Sequence, residues 1–357
     1  MTANHDRDPM AGQDAFATRT ISPYERDIEE QPRALLDFIA APRTERIASR
    51  PLLEYERVLL TGMGSSHAAA ARTWRRLVAG GSAAWWVDTA TLLESPHLIT
   101  ADTLLIVTSQ SGASGETVAL FDAVEQIGAE PEVIGITNET ASPLARGSDH
   151  VILLHSGEEA TVSTKSYVNS LAAHEYLATA LLGGASAALR EDLLAGIDAL
   201  QELGEIDDET VARAATPDAR VALIGSGDQV ATALFGGLVL KEAAKVPAEG
   251  FLAGNFRHGP LEIAGRGLVA FVLGVGPGDE GAPLRRLAAD IATSGSEVVT
   301  FGSASVPGCR AVTATAYEGF AGLVAGSQLC HRLCVPLARA RGVAPGEFRF
   351  GQKVTGL

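Results

Sequence analysis

The chain has 357 residues, more than one ordinary domain, and its 46% hydrophobic and 20% charged content supplies ample core for a folded α/β protein, which excludes a disordered or fibrous one. A net charge of -15 argues against a general binder of nucleic-acid backbone, whose affinity comes from Lys and Arg neutralising phosphates. Any anionic ligand must be held locally. Cys309, Cys330 and Cys334 are too few for a disulfide framework and suit a reducing compartment. Cys330 and Cys334 lie one helical turn apart, but His331 projects to another side of that helix, so no zinc site is expected. Neither a signal peptide nor a run of about 20 apolar residues able to span a membrane is legible, so a soluble cytoplasmic protein is expected.

In chain order, residues 1–22 read as a flexible polar tail. N-terminal helices are expected over 23–50, where Ser22-Pro23 can start a helix over Tyr24–Ala40 that Pro32 kinks or divides. A first α/β unit is expected over 51–190. Arg57–Thr61 reads as a buried strand, followed by the turn Gly62-Met63-Gly64-Ser65-Ser66 and a helix to about Val78. It is not a dinucleotide fingerprint, because His67 stands in place of the third glycine. Leu104–Thr108 is a second strand, ending in Ser109-Gln110-Ser111-Gly112-Ala113-Ser114-Gly115 before a helix that reaches about Ile127. Hydroxyls and glycines at a helix start can cradle an anion, or simply cap the helix. Strands Val133–Thr137 and Val151–Leu154 follow. A second hydroxyl-rich stretch, Thr161-Val162-Ser163-Thr164-Lys165, then opens a long apolar helix ending near Gly183. This alternation implies a parallel sheet covered on both faces, with ligands beyond the carboxyl ends of its strands, where both hydroxyl-rich loops fall.

An acidic helical connection is expected over 191–215, after which the pattern returns. VLLTGMG at 58–64 recurs as VALIGSG at 221–227, Leu268–Val275 answers the second strand, and Val298–Phe301 answers Val133–Thr137. A second copy of the unit is therefore expected over 216–342. Its loop after Leu268–Val275 carries Asp279 and Glu280, which would repel an anion, so only the first copy should bind one. Acid–base groups gather in the second copy instead. The helix Ala231–Lys245 is stopped by Pro247, so Glu242 lies near the carbonyl end of a helix dipole, which raises a carboxyl pKa unless a cation compensates. It is either a solvated helix end or a proton shuttle. His258, in Arg257-His258-Gly259-Pro260, is either a turn histidine or an imidazole held at one angle by that turn. A last helix from about Leu323 to Arg341 should kink or end early at Pro336. The tail over 343–357 contains Lys353, whose glycine-flanked context alone suggests a solvated side chain.

In this order the motifs resemble the sugar isomerase (SIS) domain family. Within it, the likeness is to the isomerase half of glucosamine-6-phosphate synthase (glutamine–fructose-6-phosphate aminotransferase) and to stand-alone glucosamine-6-phosphate deaminases of SIS type. It runs from Tyr24 to Leu357 and rests on Gly64-Ser65-Ser66, Ser109-Gln110-Ser111-Gly112, Ser163-Thr164-Lys165, Leu240-Lys241-Glu242, His258-Gly259-Pro260 and Lys353-Val354-Thr355. The resemblance implies two tandem SIS domains, each a parallel sheet flanked by helices in a three-layer, flavodoxin-like arrangement. It implies that Ser109, Gln110, Ser111 and Ser114 hold a substrate phosphate, that Ser66 and Ser163 touch the sugar, and that Glu242 moves a proton between C1 and C2. It further implies a homodimer in which His258 opens the sugar ring from the neighbouring subunit. Lys353, in a tail that closes the site, would contact the open-chain sugar or form a Schiff base.

Such chemistry needs no metal or organic cofactor, and neither nucleic acid nor membrane is an expected partner. The synthase's glutaminase domain has no counterpart in this sequence, and the loop continues Ser-Gly-Ala-Ser where the synthase has Ser-Gly-Glu-Thr. The expected direction is therefore hydrolytic, from an amino-sugar 6-phosphate to fructose 6-phosphate and ammonia. A phosphosugar aldose–ketose isomerase and a fructosamine-6-phosphate deglycase share the same proton chemistry, with Phe251, Asn255 and Phe256 expected near the site to choose the group on nitrogen. A non-catalytic phosphosugar sensor is the alternative from another class.

Overall fold

The computed structural model describes residues 21–42, 47–202, 206–314 and 317–353, so most of the expected N-terminal tail and the stretch 354–357 lie outside the described residues. Ser22 starts α1 (Pro23–Glu29) with a capping box: its hydroxyl accepts from Glu25 N while the Glu25 carboxylate accepts from Ser22 N. Pro32 cannot extend that helix, and α2 (Gln31–Ala40) forms around it, which is the expected division.

The first sheet comprises β1 (Arg57–Gly62), β2 (Ala84–Trp86), β3 (Thr103–Thr108), β4 (Glu132–Thr137) and β5 (His150–Leu153), all parallel in the order β2-β1-β3-β4-β5. Its helices are α3 (Gly64–Ala79), α4 (Thr89–Glu94), α5 (Gly115–Gln126), α6 (Pro143–Gly147) and α7 (Lys165–Leu181). Strands β1, β3 and β4 read as unbroken apolar runs because both faces are covered. Leu60, Ile106 and Ile134 pack with residues of α3 and α7, whereas Leu59, Leu105 and Val107 pack with Leu92, Leu120 and Leu144.

Helices α8 (Ser186–Gln201) and α9 (Asp208–Ala214) lead to a second sheet of β6 (Arg220–Gly225), β7 (Ala248–Leu252), β8 (Leu268–Val275), β9 (Glu297–Gly302) and β10 (Arg310–Thr313). It too is parallel, in the order β7-β6-β8-β9-β10, which is the first sheet's order strand for strand. Around it lie α10 (Gln229–Ala244), α11 (Ala253–Phe256), α12 (Gly278–Thr293) and α13 (Gly319–Ala340). Pro336 does not end α13, so of the two sequence expectations, a kink or an early end, the early end is not met. The packing of that helix against α10, α8 and α7 holds it together beyond the proline.

Helix α10 has no polar stripe because it touches neighbours on every side: β6 and β7 of its own sheet, α13, and α3 of the first half. It therefore lies at the seam between the halves. Charged groups reinforce that seam, with Arg72 on α3 donating to Glu175 on α7 at 2.8 Å and to Asp228 just before α10. Arg76 also donates to Glu175, so a nearly buried carboxylate is fully engaged.

Candidate active site

Beyond the carboxyl ends of β1 and β3 lies a cavity of about 310 Å³. Ser65 and Ser66 reach it from the first turn of α3, Ser109, Gln110, Ser111 and Ser114 from the loop before α5, and Thr161 and Ser163 from the loop before α7. The N-termini of α3 and α5 open on it, and their dipoles favour an anion, whereas the N–H groups that start α7, those of Thr164 and Ser166, are taken by the buried Glu159 carboxylate. The glycine of Ser109-Gln110-Ser111-Gly112 is dictated by space and by φ. At +59° it is in the left-handed region, and a Cβ there would sit 2.2 Å from Ser142 Oγ. Its N–H donates to Ser109 O at 3.1 Å and tightens the turn. Loops from different strands are joined by the Ser65 and Ser163 hydroxyls, 3.1 Å apart.

On the opposite wall, α10 contributes Leu238 and Glu242. Burial pushes the Glu242 carboxyl above its ordinary value, against the opposing charges of Lys245, Lys353 and Lys241. The direction is the one expected from the helix end, but the main cause is desolvation. A half-buried carboxyl tuned toward neutrality is suited to taking and returning a proton.

The C-terminal segment supplies the third wall through Phe348, Gln352 and Lys353. Gly346 N donates to Ala243 O at 3.0 Å, and Lys245, in the left-handed region at φ 57°, donates to the carbonyls of Glu242 and Glu347. Lys353 is not the solvated side chain that its local context suggests. Its Nζ donates to Glu159 Oε2 at 2.5 Å and to Thr161 O at 2.6 Å. The Glu159 side chain is 0% exposed and also accepts from the N–H and hydroxyl of both Thr164 and Ser166. Burial alone would raise that carboxyl. The charge of Lys353 and the hydrogen bonds from Lys353 and Ser166 outweigh it and hold Glu159 below the usual carboxylate range. Lys165 turns away from the cavity to Asp27 at 3.1 Å and Glu30 at 2.6 Å.

Not every expected residue reaches this place. His258 follows α11, is exposed, and does not line the cavity of its own chain. Phe251, Asn255 and Phe256 do not line the cavity of their own chain either, and the burial of Phe256 corrects the expectation that it lies near the site. Phe256 is buried among Ile224, Leu268 and Leu284, with Phe251 against the same cluster. Cavity residues that the sequence did not single out include Thr108, Thr161, Phe348 and Gln352. Behind Ser163, the buried His331 lies 3.2 Å from its carbonyl oxygen and 2.9 Å from Gln31 Nε2, and burial lowers its pKa to about 4. Among the described residues no cluster of His, Cys, Asp and Glu could hold a metal, and no helix is long and apolar enough to cross a membrane.

Residues 52–180, which include every serine of the cavity, match the family described as SIS domain. This chain carries a SIS domain. It is 32% identical over 265 residues to a glutamine–fructose-6-phosphate aminotransferase (isomerizing) of Pyrococcus horikoshii, an alignment that covers 71% of this chain. It spans only 43% of the length of that relative. The C-terminal domain of glucosamine-fructose-6-phosphate aminotransferase from Francisella tularensis superposes with a TM-score of 0.79 at 18% identity, covering 93% of this chain and 100% of that one. Glucosamine-6-phosphate deaminase from Thermotoga maritima has the same fold, with a TM-score of 0.69 at 18% identity and coverage of 94% and 100%. The SIS domain contributes the serine-bearing loops of the cavity, whereas Glu242 and Lys353 come from beyond it.

Proposed function

We propose that this chain is a phosphosugar-processing enzyme that moves a proton between C1 and C2 of a 6-phosphorylated amino sugar, releasing fructose 6-phosphate and ammonia. The observation that carries the reading is that Glu242 and the Ser109–Ser114 loop line one cavity although they come from different halves of the chain. The neutral loop anchors the phosphate, and that remote binding energy holds the reacting carbons beside the carboxylate. Glu242 takes the proton from C2 of the open-chain aldose and returns it at C1. The resulting C2 imine adds water and expels ammonia. Lys353, already tied to Glu159, serves better as a cation beside the developing C1 oxyanion than as a Schiff-base nucleophile, which needs a free amine.

Two further parts belong to this proposal. Residues 216–342 are a second SIS domain, supported by the shared strand order. The enzyme is a homodimer in which a second copy delivers His258, supported by the exposure of that residue outside its own cavity. Ammonia and fructose 6-phosphate should appear when the protein is given glucosamine 6-phosphate. Fructose 6-phosphate converted to an aldose phosphate with no turnover of the amine would make the enzyme a plain isomerase, and binding without turnover across 6-phosphorylated amines and ketoses would make it a sensor.

Mixing and reassorting inactive Glu242→Gln and His258→Ala proteins tests the shared site. Half of the reassorted dimers are mixed and each mixed dimer holds one intact site, so about a quarter of wild-type activity should return. No recovery in dimers shown to exchange subunits would rule out a His258 supplied by the second copy.

A further inference from the structure

Thr108 ends β3 at the cavity, immediately before Ser109. Its hydroxyl lies 3.0 Å from Nε2 of His174 on α7, and among the described residues it has no other hydrogen-bond partner. His174 is 2% exposed, and burial lowers its pKa to about 3, so the ring is neutral under any ordinary condition. A neutral imidazole carries one N–H and one acceptor nitrogen. Its Nδ1 is buried and has no partner.

A buried N–H without an acceptor is the rarer and costlier orphan, so the proton belongs on Nε2. Nε2 then donates to Thr108 Oγ1, and the threonine must direct its own hydrogen elsewhere. The open side is the cavity. In the second sheet the equivalent register position, opposite Gly225, is Leu273, where the first has Thr108 opposite Gly62. The polar pair therefore exists only in the half that bears the serine loop.

We propose that Thr108 is a further substrate-binding residue that donates its hydroxyl hydrogen to the phosphate held by Ser109–Ser114, and that His174 is the positioning residue that fixes the direction of this donation. The inference rests on the phosphosugar reading above and adds a hydroxyl that the serine motif does not contain. Because His174 stays neutral, the donation does not switch with pH.

The test is calorimetric titration with sorbitol 6-phosphate, which cannot isomerise, on wild type, Thr108→Val, His174→Leu and His174→Gln, each checked for a wild-type unfolding transition. Loss of one hydrogen bond to a charged group corresponds to a rise in Kd of roughly ten- to a hundredfold, expected for Thr108→Val and His174→Leu. The Gln amide can replace the Nε2 donor, so His174→Gln should bind within about threefold of wild type. In turnover, Thr108→Val and His174→Leu should lower kcat/KM by a similar factor and His174→Gln should restore it, a rescue that a general packing defect would not show. Wild-type affinity in Thr108→Val, or His174→Gln no better than His174→Leu, overturns this inference alone. Absence of any binding to wild type overturns the phosphosugar reading itself.

Discussion

Replacing Glu242 by Gln should lower kcat by about a thousandfold, within the range that a positioned general base contributes, while leaving sorbitol 6-phosphate binding intact. The amide keeps the shape of the side chain and cannot accept a proton. The same change should stabilise the fold at neutral pH. Burial raises the folded carboxyl's pKa, so ionisation is disfavoured by folding. That penalty is absent below the unfolded value, grows as pH rises toward the folded one, and persists above it. In wild type, activity should fall in acid with a midpoint above the ordinary carboxylate value, because only the ionised form is a base. Loss of kcat without a gain in thermal stability would place Glu242 in solvent, contrary to its burial.

The second large effect is expected at Glu159. Five donors converge on its carboxylate, from Lys353, Thr164 and Ser166, and its side chain is fully buried. Glu159→Gln removes the charge and offers one acceptor oxygen; placed as Oε1 it keeps both backbone N–H groups, but the Lys353 ammonium then faces the amide NH2 and retains only Thr161 O. Breaking a fully buried pair costs about 3–5 kcal/mol, and with Lys353 29% exposed the loss here should fall below that range. Here the C-terminal segment should also lose its anchor over the cavity, raising KM and exposing 343–353 to limited proteolysis. The pH dependence has the opposite sign to that of Glu242. Folding depresses the Glu159 pKa, so its stabilisation is complete above the unfolded value and is lost as pH falls through the folded one. A double-mutant cycle with Lys353→Met measures the coupling, and additive losses would contradict the pairing.

Much of this architecture was legible because β1, β3, β4, β6, β8 and β9 are central strands, whose apolar runs end at, or just before, glycines or hydroxyls. The edge strands β2, β7 and β10 were not. β2 and β10 have only 3 and 4 residues, and all three are partly exposed, so their sequences lack the buried-strand signature. The serine loop and Glu242 were found because local sequence fixes a helix start and a helix end. Glu159 was passed over because its meaning comes from Lys353, 194 residues away. His174 sits inside an almost wholly buried helix, where nothing in the sequence separates a histidine under a ligand cavity from one in a core. Phe256 was misjudged for a related reason: its closeness in sequence to His258 did not reveal that β7 and α11 turn it into the second core.

The central claim is that one carboxylate exchanges a proton with a carbon of a sugar anchored by its phosphate. It is tested most directly by following the C1 protons of fructose 6-phosphate by NMR in D2O with wild type and Glu242→Gln. The account predicts that wild type replaces one C1 proton stereospecifically with deuterium, while Glu242→Gln, still able to bind the sugar phosphate, does not. Equal exchange by the two proteins would contradict it.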